Sequence, residues 1–128
     1  MKKMVADRDI EVSSAGTGAL SGVPASPEAI EVMQEEGVDI TAHTSRHLDG
    51  FLIEEADQVL VMTESHFSYI ISWFKSMKQK VRLLREFDPV KNDGLYPNIP
   101  DPIGAPVEEY RRVKEMLKRS ITELERRI

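Results

Sequence analysis

An α/β fold with a parallel sheet is what this sequence predicts, and three observations carry the prediction. Gln58-Val59-Leu60-Val61-Met62 is a near-continuous apolar run, the pattern of a strand buried on both faces beneath covering helices. Helical patterns alternate with it and with a second, weaker apolar run at Val81-Arg82-Leu83-Leu84, as in parallel sheets built from strand and helix crossovers. From Val107 to about Arg127, Tyr110, Val113, Met116, Leu117, Ile121 and Leu124 recur at steps of three and four, which marks a long amphipathic helix.

Met1 to Asp9 has apolar points only at Met1, Met4 and Val5, a spacing that suits the last turns of a helix with no N-cap before it. Ile10-Glu11-Val12-Ser13-Ser14-Ala15 alternates in its first half and runs into Gly16-Thr17-Gly18, which predicts a short strand ending in a glycine loop. Ser26-Pro27-Glu28 supplies a serine N-cap, proline at the first helical position and an acid in the first turn; Ile30, Val32 and Met33 give that helix a buried side and Gly37 ends it. Val38 to His47 is polar enough to predict a loop, with helix only from about Asp49 to Glu55. Thr63 caps a helix to about Lys75 whose apolar face is Phe67, Ile70, Ile71 and Phe74; Trp73 and Phe74 read either as a partner surface or, as is usual on a helix of this periodicity, as core packing. Phe87 to Gly104 is a long loop with four prolines, a length that in a compact domain marks function or mobility.

The 128 residues suit one domain. With 17 basic and 22 acidic residues the net charge is −5, which disfavours nucleic acid and anionic membrane as partners. No apolar run is long enough to cross a membrane and no secretory leader follows Met1, so a cytoplasmic protein is expected. There is no cysteine, hence no disulfide, no thiolate metal site and no thiol nucleophile. Strands and helices in this order place a site at the carboxyl ends of the strands, where the loops after Ser14, after Met62 and around Asp101 would meet.

Within Asn98-Ile99-Pro100-Asp101-Pro102-Ile103-Gly104, two prolines hold Asp101 in an extended turn. Its carboxyl reads either as a general acid or as a turn aspartate that satisfies nearby backbone N–H groups. Ser14 to Gly18 reads as an anion-binding loop or a plain connection, and it lacks the lysine of a nucleotide loop. His43 and His47 are four apart, but no glutamate lies between them and Thr44-Ser45-Arg46 does not favour helix, so no metal is expected and His43 reads as a hydrogen-bonding histidine. His66 and the Lys and Arg of the last helix read as solvated surface.

Taken in order, Val12-Ser13-Ser14-Ala15-Gly16-Thr17, Pro24-Ala25-Ser26, His43-Thr44-Ser45-Arg46, Glu55-Ala56-Asp57 leading into Val59 to Thr63, and Asp101-Pro102-Ile103-Gly104 ahead of the terminal helix resemble the low-molecular-weight protein tyrosine phosphatases, including the bacterial protein-arginine phosphatases. The resemblance implies a three-layer phosphotyrosine phosphatase I-like fold and a hydrolase that acts on phosphorylated proteins or small phosphates through a phosphocysteine, with no cofactor. It places Asp101 at the leaving-group acid, which then activates water. Ser14 and His43 fall at positions that orient the phosphate loop, and Ile103 on the wall of the substrate cleft, where relatives often have an aromatic residue. An aliphatic wall stacks less well on a phenol ring, which leaves phosphoarginine open beside phosphotyrosine.

The family's first, central strand and its Cys-x5-Arg phosphate loop have no counterpart in these residues, so residues 1–128 are expected to be a single phosphatase-like domain lacking its N-terminal segment, and inactive alone for want of a thiolate. Without that strand, the Ile10 to Ala15 and Gln58 to Met62 strands would stand about 9 to 10 Å apart with unpaired backbone between them. The sheet is then expected to close up, to take a strand from another chain by self-association, or to be unstable. A binding module without catalysis is the alternative function.

Overall fold

The computed structural model describes residues 10–17 and 21–128. The expected helical tail at Met1 to Asp9, and Gly18 in the glycine loop, lie outside the described residues. The chain divides into two compact units: one holds Asp49–Pro100, Met116–Ile128 and the described residues before Ser13, and the other holds Ser13–Leu48 and Asp101–Glu115.

In the first unit, Asp49 starts helix α2 (Gly50–Glu55), its Oδ1 accepting from the Leu52 N–H at 2.9 Å. Strand β1 (Val59–Val61) runs parallel to β2 (Val81–Leu83), in the register Val59 with Val81 and Val61 with Leu83. A parallel pair needs a crossover, and helix α3 (Glu64–Trp73) with a 3₁₀ segment (Lys75–Lys80) provides it. Thr63 Oγ1 caps α3 by accepting from the His66 N–H at 3.2 Å. α3 packs against both strands, and Ile53, Val61, Ile70, Val81, Leu84, Phe87, Ile99, Met116 and Leu124 are the unit's buried apolar side chains.

The second unit contains helix α1 (Pro27–Glu35). Ser26 is its N-cap and Pro27 its first residue, as the sequence predicts. At its other end Gly37 adopts φ 71°, and N–H groups of Gly37 and Val38 return to the carbonyls of Gln34 and Met33 at 2.9 Å each. That pair of bonds is the Schellman arrangement, in which a left-handed residue just past the helix favours glycine. Helix α4 (Val107–Arg127) contributes its opening turns to the second unit and the rest to the first. Along it, Arg111 makes a two-point ion pair with Glu35 and Lys114 reaches Glu36 at 3.5 Å.

The expected strand at Ile10 to Ala15 is absent. These residues are irregular, and Gly16 alone makes a parallel bridge, to His47. A strand exists only through ladder bonds to a neighbour, and among the described residues this stretch has none, so alternation alone does not create one. The sheet accordingly has two strands among the described residues. Trp73 also departs from expectation: it is 71% exposed, because the buried stripe of α3 runs through Ile70 and leaves Trp73 off it. No described helix is long and apolar enough to cross a membrane.

Candidate functional site

The predicted site residues Ser14, His43, Asp101 and Ile103 all belong to the second unit, and all four are exposed. Among the described residues no side-chain hydrogen bond joins Ser14, His43 and Asp101 to one another.

Asp101 opens a tight turn. The Ile103 N–H donates to its Oδ1 at 3.0 Å, and the Ala105 N–H donates to the Pro102 carbonyl at 2.8 Å, with Gly104 at φ 78° in the third place of that turn. A positive φ there is what glycine permits without a Cβ clash. The carboxylate thus serves the turn with one oxygen and remains exposed. Ile103 stands beside it at 77% exposure, an aliphatic side chain displayed on the surface.

The stretch from His43 to His47 is extended, not helical, so the four-residue spacing of the two histidines does not put them on one helical face. What holds it is backbone pairing. Thr44 forms an antiparallel bridge with Pro24; the Ser45 N–H donates to Val23 O at 2.7 Å, the Gly22 N–H to Ser45 O at 2.8 Å and the Gly16 N–H to Arg46 O at 2.9 Å. Ser45 Oγ accepts from the Val23 N–H at 3.1 Å and Ser21 Oγ from the His47 N–H at 3.3 Å. Gly16 and the nearby residues 21–24 are stitched here to residues 44–48, some twenty to thirty positions on, and this fixes the backbone on which His43 sits. Ser26 adds a further tie: its Oγ accepts from the Ala29 N–H and donates to Tyr110 Oη at 3.2 Å, joining the start of α1 to the first turns of α4.

Sequence reasoning missed the most heavily bonded polar cluster, which lies in the first unit. Arg85 is fully buried, at 0% exposure, and its guanidinium donates to Asp88 Oδ2 at 3.1 Å, Asn98 O at 3.1 Å, Val90 O at 3.3 Å and the carboxylate of Asp93. Asp88 is buried too, and receives Arg119 from α4 through two bonds of 2.9 and 3.1 Å. Burial disfavours the Asp88 carboxylate, but bonds from Arg119, the Val90 N–H and Arg85 outweigh it and hold its pKa below the ordinary value. The Arg85 guanidinium, followed by the Leu95 N–H, pulls Asp93 down to about 2. For Arg85 itself burial works against the charge, and the bonds to Asp93 and Asp88 reverse it, so its pKa is raised.

This clamp gathers the irregular chain between Asp88 and Asn98. Just beyond it the Asn98 side chain accepts from the Glu64 N–H at 2.7 Å, and the Ile99 N–H donates to Met62 O at 2.8 Å. The leg of the loop that leads to Pro100 is therefore bonded both to the start of α3 and to the residue after β1. The expectation of a wholly solvated basic face on α4 also needs correction. Arg119 is half-buried on Asp88, and Arg127 lies 5.3 Å from the centre of the Phe87 ring. A flat guanidinium shields such groups better than an ammonium would.

Along the chain a parallel βαβ unit is followed by a proline-stiffened loop, an exposed Asp-Pro turn and then a long terminal helix. The chain belongs to the low molecular weight phosphotyrosine protein phosphatase family, whose family model matches residues 1–128. It is 35% identical over 112 residues to a probable low molecular weight protein-tyrosine-phosphatase, EpsP, of Ralstonia nicotianae, covering 88% of this chain and 72% of that one. Its structure is similar to the YwlE arginine phosphatase of Geobacillus stearothermophilus, with TM-score 0.84 and 32% identity over 97% of this chain and 79% of that one. It is similar also to a cysteine-to-serine mutant of the YwlE arginine phosphatase with a phosphorylated active-site serine, with TM-score 0.86 and 29% identity over 98% of this chain and 81% of that one. The fold is thus the α/β phosphatase fold that the sequence predicts.

Proposed function

We propose that this chain carries the acid half of a protein phosphatase that cleaves phosphotyrosine or phosphoarginine. Asp101 protonates the departing phenol oxygen or guanidino nitrogen, and afterwards takes a proton from the water that releases phosphate. The observation that carries this reading is the presentation of Asp101: an accessible carboxylate on a turn stiffened by Pro100 and Pro102 and closed by Gly104. A general acid works only if it is held within reach of the leaving atom, and a pre-formed turn meets that condition before substrate arrives. Ser14 and His43 are assigned to orienting the phosphate-binding loop, and Ile103 to the cleft wall. An aliphatic wall offers a phenol ring little stacking, so selectivity for tyrosine is weak and phosphoarginine is accepted.

These 128 residues contain no cysteine, so a phosphocysteine route draws its thiolate from outside them, and the residues alone do not turn over substrate. The phosphorylated serine in the cysteine-to-serine YwlE mutant supports attack from that position in that protein. The test joins residues 1–128 to the family's Cys-x5-Arg segment and compares phosphotyrosine and phosphoarginine peptides. Turnover should appear in the joined protein and be absent without the segment, and Asp101→Asn should lower kcat by roughly 10²- to 10⁴-fold. An unchanged kcat in Asp101→Asn removes the acid role. A joined, folded protein with no turnover on either peptide removes the phosphatase reading.

A further inference from the structure

Gly94 lies in the irregular stretch that Arg85 gathers, and it follows an aspartate. Asp-Gly is the most reactive aspartyl bond in a polypeptide, because glycine puts no side chain in the way of its own nitrogen. Here that nitrogen is free. Among the described residues the Gly94 N–H has no hydrogen-bond partner, Gly94 is exposed, and nothing lies within 4 Å of the place a Cβ would take. With Leu95 and Asn98 it lines an open cleft at the start of α3, so water reaches it.

Asp93 is the opposite case, with both oxygens tied. Its Oδ1 accepts from the Leu95 N–H at 3.0 Å and the Tyr96 N–H at 3.3 Å, and Oδ2 takes the Arg85 guanidinium. Arg85 is itself fully buried and fixed by Asp88, Val90 O and Asn98 O, so it does not swing away. Closing a ring from the Gly94 nitrogen to the Asp93 carboxyl has two requirements. The carboxyl must be protonated, because its hydroxyl has to leave as water, and the side chain must be free to turn onto that nitrogen. A tethered carboxylate meets neither, and the guanidinium that pulls Asp93 down to about 2 enforces both.

We propose that Asp93-Gly94 is a latent isoaspartate site, held shut by the bond from Arg85 and opened when that bond is lost. The Gly94 nitrogen attacks Asp93 Cγ and the N–Cγ bond forms. The proton of that nitrogen and the hydroxyl of the carboxyl depart as water, leaving a five-membered succinimide. Water then opens the ring. Attack at the Asp93 main-chain carbonyl leaves the chain running through Cβ and Cγ, which is isoaspartate; attack at Cγ restores aspartate. Nothing is oxidised or reduced, and the mass returns to its starting value. In the isoaspartyl form the main chain is one carbon longer and the free carboxylate branches directly from Cα. One of the four acceptors that Arg85 holds is then displaced, so a transient opening of the clamp becomes a lasting one.

The test ages the full chain at neutral pH, folded and in urea, and then cuts it with trypsin. Cleavage after Lys91 and Arg111 releases the peptide that holds Asp93. Isoaspartate is read as a chromatographic shift at unchanged mass, with labelling by an isoaspartyl methyltransferase; deamidation of Asn92 or Asn98 raises the mass and is told apart. Isoaspartate at Asp93 should form far faster in urea than in the folded parent. Folded Arg85→Met should form it at least ~10-fold faster than the parent, since the protonated fraction rises as the carboxyl returns towards its ordinary pKa. Arg119→Met takes the other cation from Asp88 but leaves Arg85 on Asp93, and should age as the parent does. If Arg85→Met does not fold, Arg85→Lys takes its place. The proposal is overturned if the Arg85 variant ages no faster than Arg119→Met, if the folded parent ages as fast as the parent in urea, or if isoaspartate collects at other aspartates and not at Asp93.

Discussion

Replacing Arg85 by methionine removes the cation that four acceptors share: Asp88, Val90 O, Asp93 and Asn98 O. Taking one partner from a buried ion pair costs about 3 to 5 kcal/mol, because the remaining charge stays buried. Asp88 keeps its two bonds from Arg119, so the lower end applies, about 3 kcal/mol. For a chain of this length that lowers the melting temperature by roughly 10 °C, read by far-ultraviolet circular dichroism at neutral pH. Arg85→Lys should lose most of the same stability, since an ammonium cannot reach both the Asn98 carbonyl and Asp93 as the guanidinium fork does. The internal control is Arg111→Met, which breaks a two-point pair with Glu35 on the surface, where solvent screens the charges, and should lower the melting temperature far less. If Arg85→Met melts no lower than Arg111→Met, burial does not set the worth of this cluster and the reasoning is wrong.

Two further outcomes follow from the same geometry. Asp88 and Asp93 both have folded pKa values below their unfolded ones, so the unfolded chain binds more protons in acid. Their stabilisation is complete above the ordinary carboxylate pKa, and is lost as pH falls from about 4 through the Asp93 value of about 2. Melts across that window should show the parent losing its advantage over Arg85→Met, and a gap that persists at the acid end would contradict the assignment. Gly104→Ala places a Cβ on a residue at φ 78° with nothing within 4 Å, so its cost is backbone strain alone, about 1 kcal/mol, measurable as a lower denaturant midpoint.

The elements that the sequence discloses are those whose cause is local. Ser26 and Thr63 are N-caps that act within three residues, and Gly37 ends α1 through its own φ, so each could be read directly. α4 declares itself by period, and β1 by its apolar run. What escaped depends on partners far along the chain. The Ile10 to Ala15 alternation is the same whether or not a neighbouring strand is present, and the pattern is silent on that. The ion pair from Arg119 to Asp88 spans 31 residues, with nothing in either neighbourhood to announce it. The turn at Asp101 was legible because two prolines declare it, whereas the backbone weave at Ser45 that carries His43 leaves no mark in composition.

The bond from Ser26 to Tyr110 joins residues 84 apart, and the second unit is built from Ser13–Leu48 and Asp101–Glu115 with more than fifty residues of the first unit between them. The cost of closing so long a loop falls before the contact repays it. During synthesis, α1 emerges long before Tyr110, Arg111 and Lys114 exist to receive it, and so waits on the ribosome without its partners. The first unit in turn waits for Met116–Ile128, which brings Arg119 to Asp88. Neither unit can finish folding until the last helix has been made, so a stop codon anywhere before α4 would leave both incomplete.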